Sequence, residues 1–297
     1  SMFTGYPVSA LEREAEEITT LSPYADIDQH WAKQDIINWY RQDLIRGYED
    51  GTFKPDKKIT RAEFISMVNK AFGFKELAAA SFKDVSPSDW YEQEIRKAVA
   101  EGYISGYEDE SIRPNHEISR QEAAVILCRV LKLETVKDSS VLSKFKDASE
   151  IPDWSKRYIA TAVEAGYVTG YPDGTFRPSG PITRAESVAM LSRALGDLFN
   201  SAGVYGDEKE VKEILGNVTI TADGVTMKNA VIYGNLYLTS GIGDGQVKLE
   251  DVTVKGRTLV SGGGEDSIHF TNFSGEEIRI VKANGRIRIV TSGDTKV

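Results

Sequence analysis

The sequence predicts a two-part α plus β chain: three helix-loop-helix repeats over about residues 22–200, followed by a β-rich region with the pattern of a parallel β-helix or solenoid. Three observations carry that prediction. The same string of motifs occurs three times in the same order; each occurrence is flanked by apolar residues at helical spacing; and after Asn200 that spacing gives way to short β-branched runs punctuated by glycine and asparagine.

The first repeat runs through Tyr24-Ala25-Asp26, Trp31, the loop Gly47-Tyr48-Glu49-Asp50-Gly51-Thr52-Phe53-Lys54-Pro55 and the tetrad Thr60-Arg61-Ala62-Glu63. The second has Phe82-Lys83-Asp84, Trp90, a loop from Gly106 to Pro114 and Ser119-Arg120-Gln121-Glu122. The third has Phe145-Lys146-Asp147, Trp154, a loop from Gly170 to Pro178 and Thr183-Arg184-Ala185-Glu186. A helix is expected after each tryptophan, as from Tyr91 to Gly102, with glycine at Gly102 and Gly166 ending it. A second helix follows each loop, with Phe64, Ile65, Val68 and Phe72 on one face in the first repeat. Domain boundaries are expected at 1–21 (an N-terminal helical segment carrying the acidic stretch 11–17), 22–78, 79–138, 139–203 and 204–297.

The tetrad has two readings. Ser or Thr followed three residues later by Glu, ahead of an apolar run, is a capping box, and Thr60/Glu63, Ser119/Glu122 and Thr183/Glu186 fit it. Capping does not explain the arginine, whose positive charge in a first helical turn opposes the helix dipole. Arg61, Arg120 and Arg184 therefore read as an anion site at a helix N-terminus with exposed amides, in preference to a salt bridge with Asp26, Asp84, Asp147 or a neighbouring acid. Trp31, Trp90 and Trp154 read first as core anchors and second as platforms for a sugar ring, and Trp39 as packing.

In the last third, runs such as Val231-Ile232-Tyr233 and Val252-Thr253-Val254 repeat at an offset of roughly twenty residues, a plausible solenoid rung, with a compact β-sandwich as the alternative. Gly262-Gly263-Gly264 reads as a flexible turn, and His269 as a solvated strand residue.

Composition narrows the function. A formal net charge of −9 argues against a general nucleic-acid binder, without excluding a small anion held by local arginines. The single cysteine, Cys128, sits in an apolar run and reads as a small buried hydrophobe. No signal peptide, membrane-spanning run, metal-ligand spacing, cofactor motif or catalytic triad is readable, so no catalytic, metal or cofactor residue is assigned. Ser1-Met2 reads as a cloning scar on a chain trimmed of its targeting segment, and the last residues read as an abrupt cut.

The triplicate loop, tryptophan and Thr-Arg-Ala-Glu elements resemble the S-layer homology (SLH) family over about residues 22–200. The resemblance implies a pseudo-trimeric, three-pronged spindle in which the capping-box helices form a central bundle. It implies that grooves between repeats bind the secondary cell wall polymer of a Gram-positive-type wall, with a terminal pyruvylated N-acetylmannosamine as the recognised unit. Carried over to this sequence, it assigns carbohydrate binding to Arg61, Arg120 and Arg184, to the loop glycines Gly47, Gly106 and Gly170, to Trp31, Trp90 and Trp154, and to Asp26, Asp84 and Asp147 as groove walls. Repeat two departs from the pattern with Gln121, and with Glu110 in place of the loop glycine, so its groove is expected to bind more weakly. The implied role is a secreted, non-enzymatic anchor at the cell wall or S-layer, without nucleic-acid partner or membrane span. Its rivals are the anchoring part of a wall-bound polysaccharide-active enzyme and a self-assembling lattice protein.

Overall fold

The computed structural model describes residues 22–282 and 285–297; the N-terminal segment expected to be helical lies outside them. Among the described residues six α-helices, α1 (Lys33–Arg41), α2 (Arg61–Phe72), α3 (Glu92–Ala100), α4 (Arg120–Val130), α5 (Asp153–Glu164) and α6 (Arg184–Leu195), precede ten strands. Residues 22–69 and 76–194 form one compact unit, and residues 70–75 and 195–297 belong to another.

Each repeat supplies two helices. The first is amphipathic: α1 buries Ile36, Ile37 and Trp39, and α3 buries Ile95 and Ala98. Gly102 and Gly166 follow α3 and α5 with φ of 75° and 77°, the left-handed stop that the sequence signals, and repeat one places Asp43 there at φ 56°. The second helix is the more deeply packed, and α4 buries Gln121 and every residue from Ala123 to Cys128. Burial pushes the Cys128 thiol pKa up to about 12, in keeping with an inert core residue.

The loop between the helices is braced by one carboxylate per repeat. Asp26 accepts the amides of Phe53 and Lys54, each at 2.8 Å; Asp84 accepts those of Ile112 and Arg113 at 3.0 and 2.8 Å; Asp147 accepts those of Phe176 and Arg177, each at 2.8 Å. Closer to the turn, Asp50, Asp109 and Asp173 accept the hydroxyls of Thr52, Ser111 and Thr175 at 2.6, 2.5 and 2.6 Å.

The three repeats meet in a cyclic set of backbone hydrogen bonds. Ile59 donates to the carbonyl of Ile182 at 3.3 Å, Ile182 to that of Ile118 at 3.1 Å, and Ile118 to that of Ile59 at 3.1 Å. Antiparallel bridges Lys58–Thr183, Thr60–Glu117 and Ser119–Pro181 surround this ring, and all three isoleucine side chains are buried. The ring imposes a pseudo-threefold arrangement of the repeats, as the family resemblance implies.

The ten strands wind a parallel β-solenoid of about four turns, in place of the alternative β-sandwich. One side stacks β1 (Asp197–Phe199), β4 (Val218–Ile220), β6 (Leu236–Leu238), the end of β7 (Val247–Val260) and the end of β9 (Ser274–Ile280). A second stacks β2 (Gly203–Tyr205), the start of β5 (Val225–Ile232), the start of β7, β8 (Ile268–Thr271) and β10 (Ile289–Ser292). A third stacks β3 (Lys212–Ile214) on the later parts of β5 and β7 and on β9. The first strand begins at Asp197, before residue 204, where composition places the boundary.

Val218, Ile220, Met227, Ile232, Leu249, Val254 and Phe270 point into the solenoid core. The chain bends between the second and third sides at Asn229, Asp251 and Asn272, with φ of 57°, 55° and 50°, a left-handed conformation that Asn and Asp tolerate. Another corner is held by an asparagine ladder: Asn217 Oδ1 accepts the amide of Asn235, and Asn235 Oδ1 accepts that of Arg257, each at 2.8 Å. The Gly262–Gly264 stretch, expected to be flexible, is buried. A Cβ at Gly262 would strike the Thr239 carbonyl of the preceding turn, so these glycines serve close backbone packing.

Two outcomes follow. Ile118→Ala should destabilise residues 22–194 by about 2–5 kcal/mol, in one cooperative transition seen by calorimetry, because the ring ties all three repeats. Hydrogen bonds from Thr52, Ser111 and Thr175 hold the carboxyls of Asp50, Asp109 and Asp173 below their ordinary range, Asp109 at about 2. At Asp147 partial burial opposes the shift, but the amides of Phe176 and Arg177 still leave it lowered. The unfolded chain takes up these protons near pH 3.9 and the native chain only below it. Their stabilisation is therefore complete above about pH 4 and is lost as pH falls toward 2. The melting temperature should drop across that window, and less steeply in the triple variant D50N/D109N/D173N.

Candidate functional site

Each tetrad arginine reaches into the loop of another repeat, not its own. Arg61 Nε donates to the Ile112 carbonyl at 3.0 Å, Arg120 Nε to that of Phe176 at 2.8 Å, and Arg184 Nε to that of Phe53 at 3.0 Å. Arg120 also donates from one terminal nitrogen to the Thr169 carbonyl at 2.6 Å and from the other to Glu186 at 2.8 Å. Arg61 lies 3.3 Å from Glu122, and Arg184 donates to the Arg46 carbonyl at 3.1 Å. Burial lowers the pKa of Arg184, against opposing pulls from Tyr48 and Glu63.

The glutamates have two tasks at once. The capping boxes form as predicted: the amides of Glu63, Glu122 and Glu186 donate to Thr60, Ser119 and Thr183 at 3.1, 3.3 and 3.1 Å, and the carboxylates of Glu63, Glu122 and Glu186 return to the N-cap amides at 3.2, 3.1 and 3.4 Å. Glu122 and Glu186 also pair with the arginine of the preceding repeat. The salt-bridge partners are thus these glutamates, while Asp26, Asp84 and Asp147 face loop amides.

The helix N-termini do not present exposed amides. The amides of Arg61 and Ala62 donate to the carbonyls of His116 and Pro114, those of Arg120 and Gln121 to Gly180 and Pro178, and those of Arg184 and Ala185 to Lys57 and Pro55, all at 2.8 to 3.0 Å. Donors that the sequence reading offers to an anion are consumed in joining one repeat to the next.

The tryptophans correct the sequence reading in the other direction. Trp31, Trp90 and Trp154 are 64%, 61% and 56% exposed, so they are not core anchors. Trp31 lines a cavity of about 430 Å³ with Arg120, Gly170, Tyr171, Glu186 and Arg193. Trp154 lines one of about 260 Å³ with Arg61, Gly106, Tyr107, Glu122 and Arg129. Each groove therefore takes its arginine, its loop and its tryptophan from three different repeats. The loop bearing Glu110 belongs to the groove of Arg61, not to that of Arg120, and the Arg120 groove is the larger of the two.

Gly47, Gly106 and Gly170 owe their place to packing. A Cβ at Gly106 or Gly170 would stand 2.6 or 2.5 Å from the ring of Phe82 or Phe145, and one at Gly47 would strike Tyr24. Gly106 and Gly170 also line the grooves. The tyrosines after these glycines went unassigned in the sequence, although they too recur in triplicate. The Arg120 guanidinium lies 4.5 Å from the Tyr171 ring and that of Arg177 lies 4.0 Å from it, while Tyr171 donates its hydroxyl to Glu186 at 3.0 Å. Arg61 and Arg113 flank Tyr107 at 5.1 and 3.7 Å. Among the described residues, no helix is long and apolar enough to cross a membrane and no group of three His, Cys, Asp or Glu side chains could hold a metal ion.

A model of the S-layer homology domain matches residues 23–65, 81–124 and 144–186. The chain is 35% identical over 184 residues to a cellulosome-anchoring protein of Acetivibrio thermocellus, covering 60% of this chain and 40% of that protein. It is 33% identical over 193 residues to an exoglucanase of the same species, covering 64% of this chain and 17% of that protein. It is 31% identical over 208 residues to a surface-layer 125 kDa protein of Lysinibacillus sphaericus, covering 68% and 17%. The matched part of the chain thus spans 40% or less of the length of each of these relatives.

Arg120→Ala should lower the stability of residues 22–194 by roughly 2–4 kcal/mol, because it strands Glu186 and two loop carbonyls. Denaturant titration read by far-UV circular dichroism measures the loss.

Proposed function

We propose that this chain, which carries three S-layer homology domains, anchors a protein to the bacterial cell wall by seating units of a secondary wall polymer in the grooves between its repeats. S-layer homology domains anchor proteins to the cell wall, and the relatives include a cellulosome-anchoring and a surface-layer protein. The observation that carries the finer reading is the exposed tryptophan that lines each groove together with a tetrad arginine and a tyrosine. An exposed indole face complements the apolar face of a sugar ring, while polar loop groups meet its edge. A cavity of 430 Å³ lies within the usual range of small-molecule sites, roughly 300–1,000 Å³. A pyruvylated N-acetylmannosamine at the polymer end, offering an apolar face and a carboxylate, is the unit we infer. Engagement of more than one groove by a repetitive polymer would raise avidity without a tight single contact.

In this reading Arg61, Arg120 and Arg184 hold the grooves in shape, and Trp31, Trp90 and Trp154 meet the ligand. The domains follow as 22–78, 79–138 and 139 to about 195 for the three anchoring repeats, with the solenoid as a non-catalytic spacer or display region. A second reading, the anchoring part of a polysaccharide-active enzyme, is favoured by the exoglucanase relative, of which the alignment spans 17%.

Sedimentation with purified wall polymer tests the proposal. The variant W31A/W90A/W154A should lose at least about tenfold in affinity, and its melting temperature should stay within a few degrees of the parent, since all three rings are exposed. Full binding by that variant would sink the groove reading.

A further inference from the structure

The tetrad arginines are poorly placed to serve as the anion-binding groups of the grooves. Arg61 is only 7% exposed, and Arg120 directs all three of its nitrogens to protein acceptors. Each groove that Arg61 or Arg120 enters nevertheless contains a second guanidinium. In the larger groove it is Arg193, on α6 at helical spacing from Glu186 and Met190, which line the same cavity. In the smaller groove it is Arg129, on α4 with the same spacing from Glu122 and Ile126. Both are exposed, and neither guanidinium forms a hydrogen bond or an ion pair among the described residues; Arg129 lies only 5.6 Å from the Tyr158 ring.

We propose that Arg193 and Arg129 are the groups that recognise the ligand's carboxylate in these two grooves, and that the tetrad arginines act as positioning residues. This rests on the grooves being polymer sites, as proposed above. An exposed guanidinium without a hydrogen bond or ion pair keeps its full set of donors for a carboxylate, and Arg129 gives up at most its 5.6 Å contact with the Tyr158 ring when it turns toward one. The acids of the larger groove do not compete for Arg193: Glu186 is committed to Arg120 and Tyr171, and Asp56 to His30 at 2.9 Å. Arg193 lines the same cavity as Trp31, and Arg129 the same cavity as Trp154. A sugar bearing a carboxylate substituent, stacked on Trp31 or Trp154, would then present its acid to Arg193 or Arg129.

The test is calorimetric titration of the full chain with short fragments of purified wall polymer, before and after removal of the carboxylate substituents, at low and high salt. The variant R129Q/R193Q should bind the carboxylated fragment about tenfold more weakly at these two grooves. It should also lose most of the preference over the stripped fragment and most of the salt dependence, and R129K/R193K should recover part of each. Thermal unfolding of R129Q/R193Q should match that of the parent. If this variant keeps the parent's affinity, preference and salt dependence while the tryptophan variant loses binding, the grooves stand and the assignment of these arginines falls. If the parent chain binds neither fragment, the groove reading falls and takes this assignment with it.

Discussion

Three backbone hydrogen bonds closed into a ring, Ile59 to Ile182 to Ile118 and back to Ile59, set the geometry on which the grooves depend. Each bond joins two repeats that are far apart in sequence, so none can be satisfied by one repeat alone. The ring places the three capping-box helices around a common axis with their N-termini together. Those N-termini would repel one another as aligned dipole ends. The structure answers by satisfying the first amides of each helix with carbonyls from the next repeat's loop, and by bringing Glu122 and Glu186 close to the same region.

That arrangement decides what the tetrad arginine can do. A guanidinium has five donors, and the next repeat supplies acceptors at the distances required, so each of Arg120's three nitrogens is engaged, by Phe176, Thr169 and Glu186. The same contacts hold the loop carrying Tyr171 and Gly170 against the helix and so form one groove wall. The exposed tryptophan of the remaining repeat lines the same groove. A groove made this way needs three repeats to be complete, which is a physical reason for the triplication.

The solenoid meets a similar demand by different means. Its turns stack in register, and each buries its apolar residues against the turn before and after. Where the chain must bend, the corners use residues that tolerate a left-handed backbone, Asn229, Asp251 and Asn272, or glycines such as Gly262 that allow backbones to touch. Contacts are therefore between turns about twenty residues apart in sequence, whereas in the repeats the decisive contacts span a whole repeat or more.

The sequence by itself determined the elements that local chemistry controls. Capping boxes, glycine stops after α3 and α5, the apolar face of α2 and the solenoid rung length all depend on residues a few positions apart or on a direct periodicity, so they are readable from spacing alone. The repeat unit is likewise written in the order and spacing of its motifs. Which side chains are free was a tertiary decision. Arginine in a first helical turn looks surplus until the neighbouring repeat supplies its acceptors. Tryptophan looks like core until the cyclic packing fills the interior with Phe53, Ile112 and Phe176 and leaves the indoles outside. Likewise Arg129 and Arg193 look like ordinary surface charges until the two other repeats bring a tetrad arginine and an indole to the same groove. Spacing along one chain cannot show which acceptors will be brought to a donor from the next repeat, and that pairing is what separates the residues that build the groove from those left exposed in it.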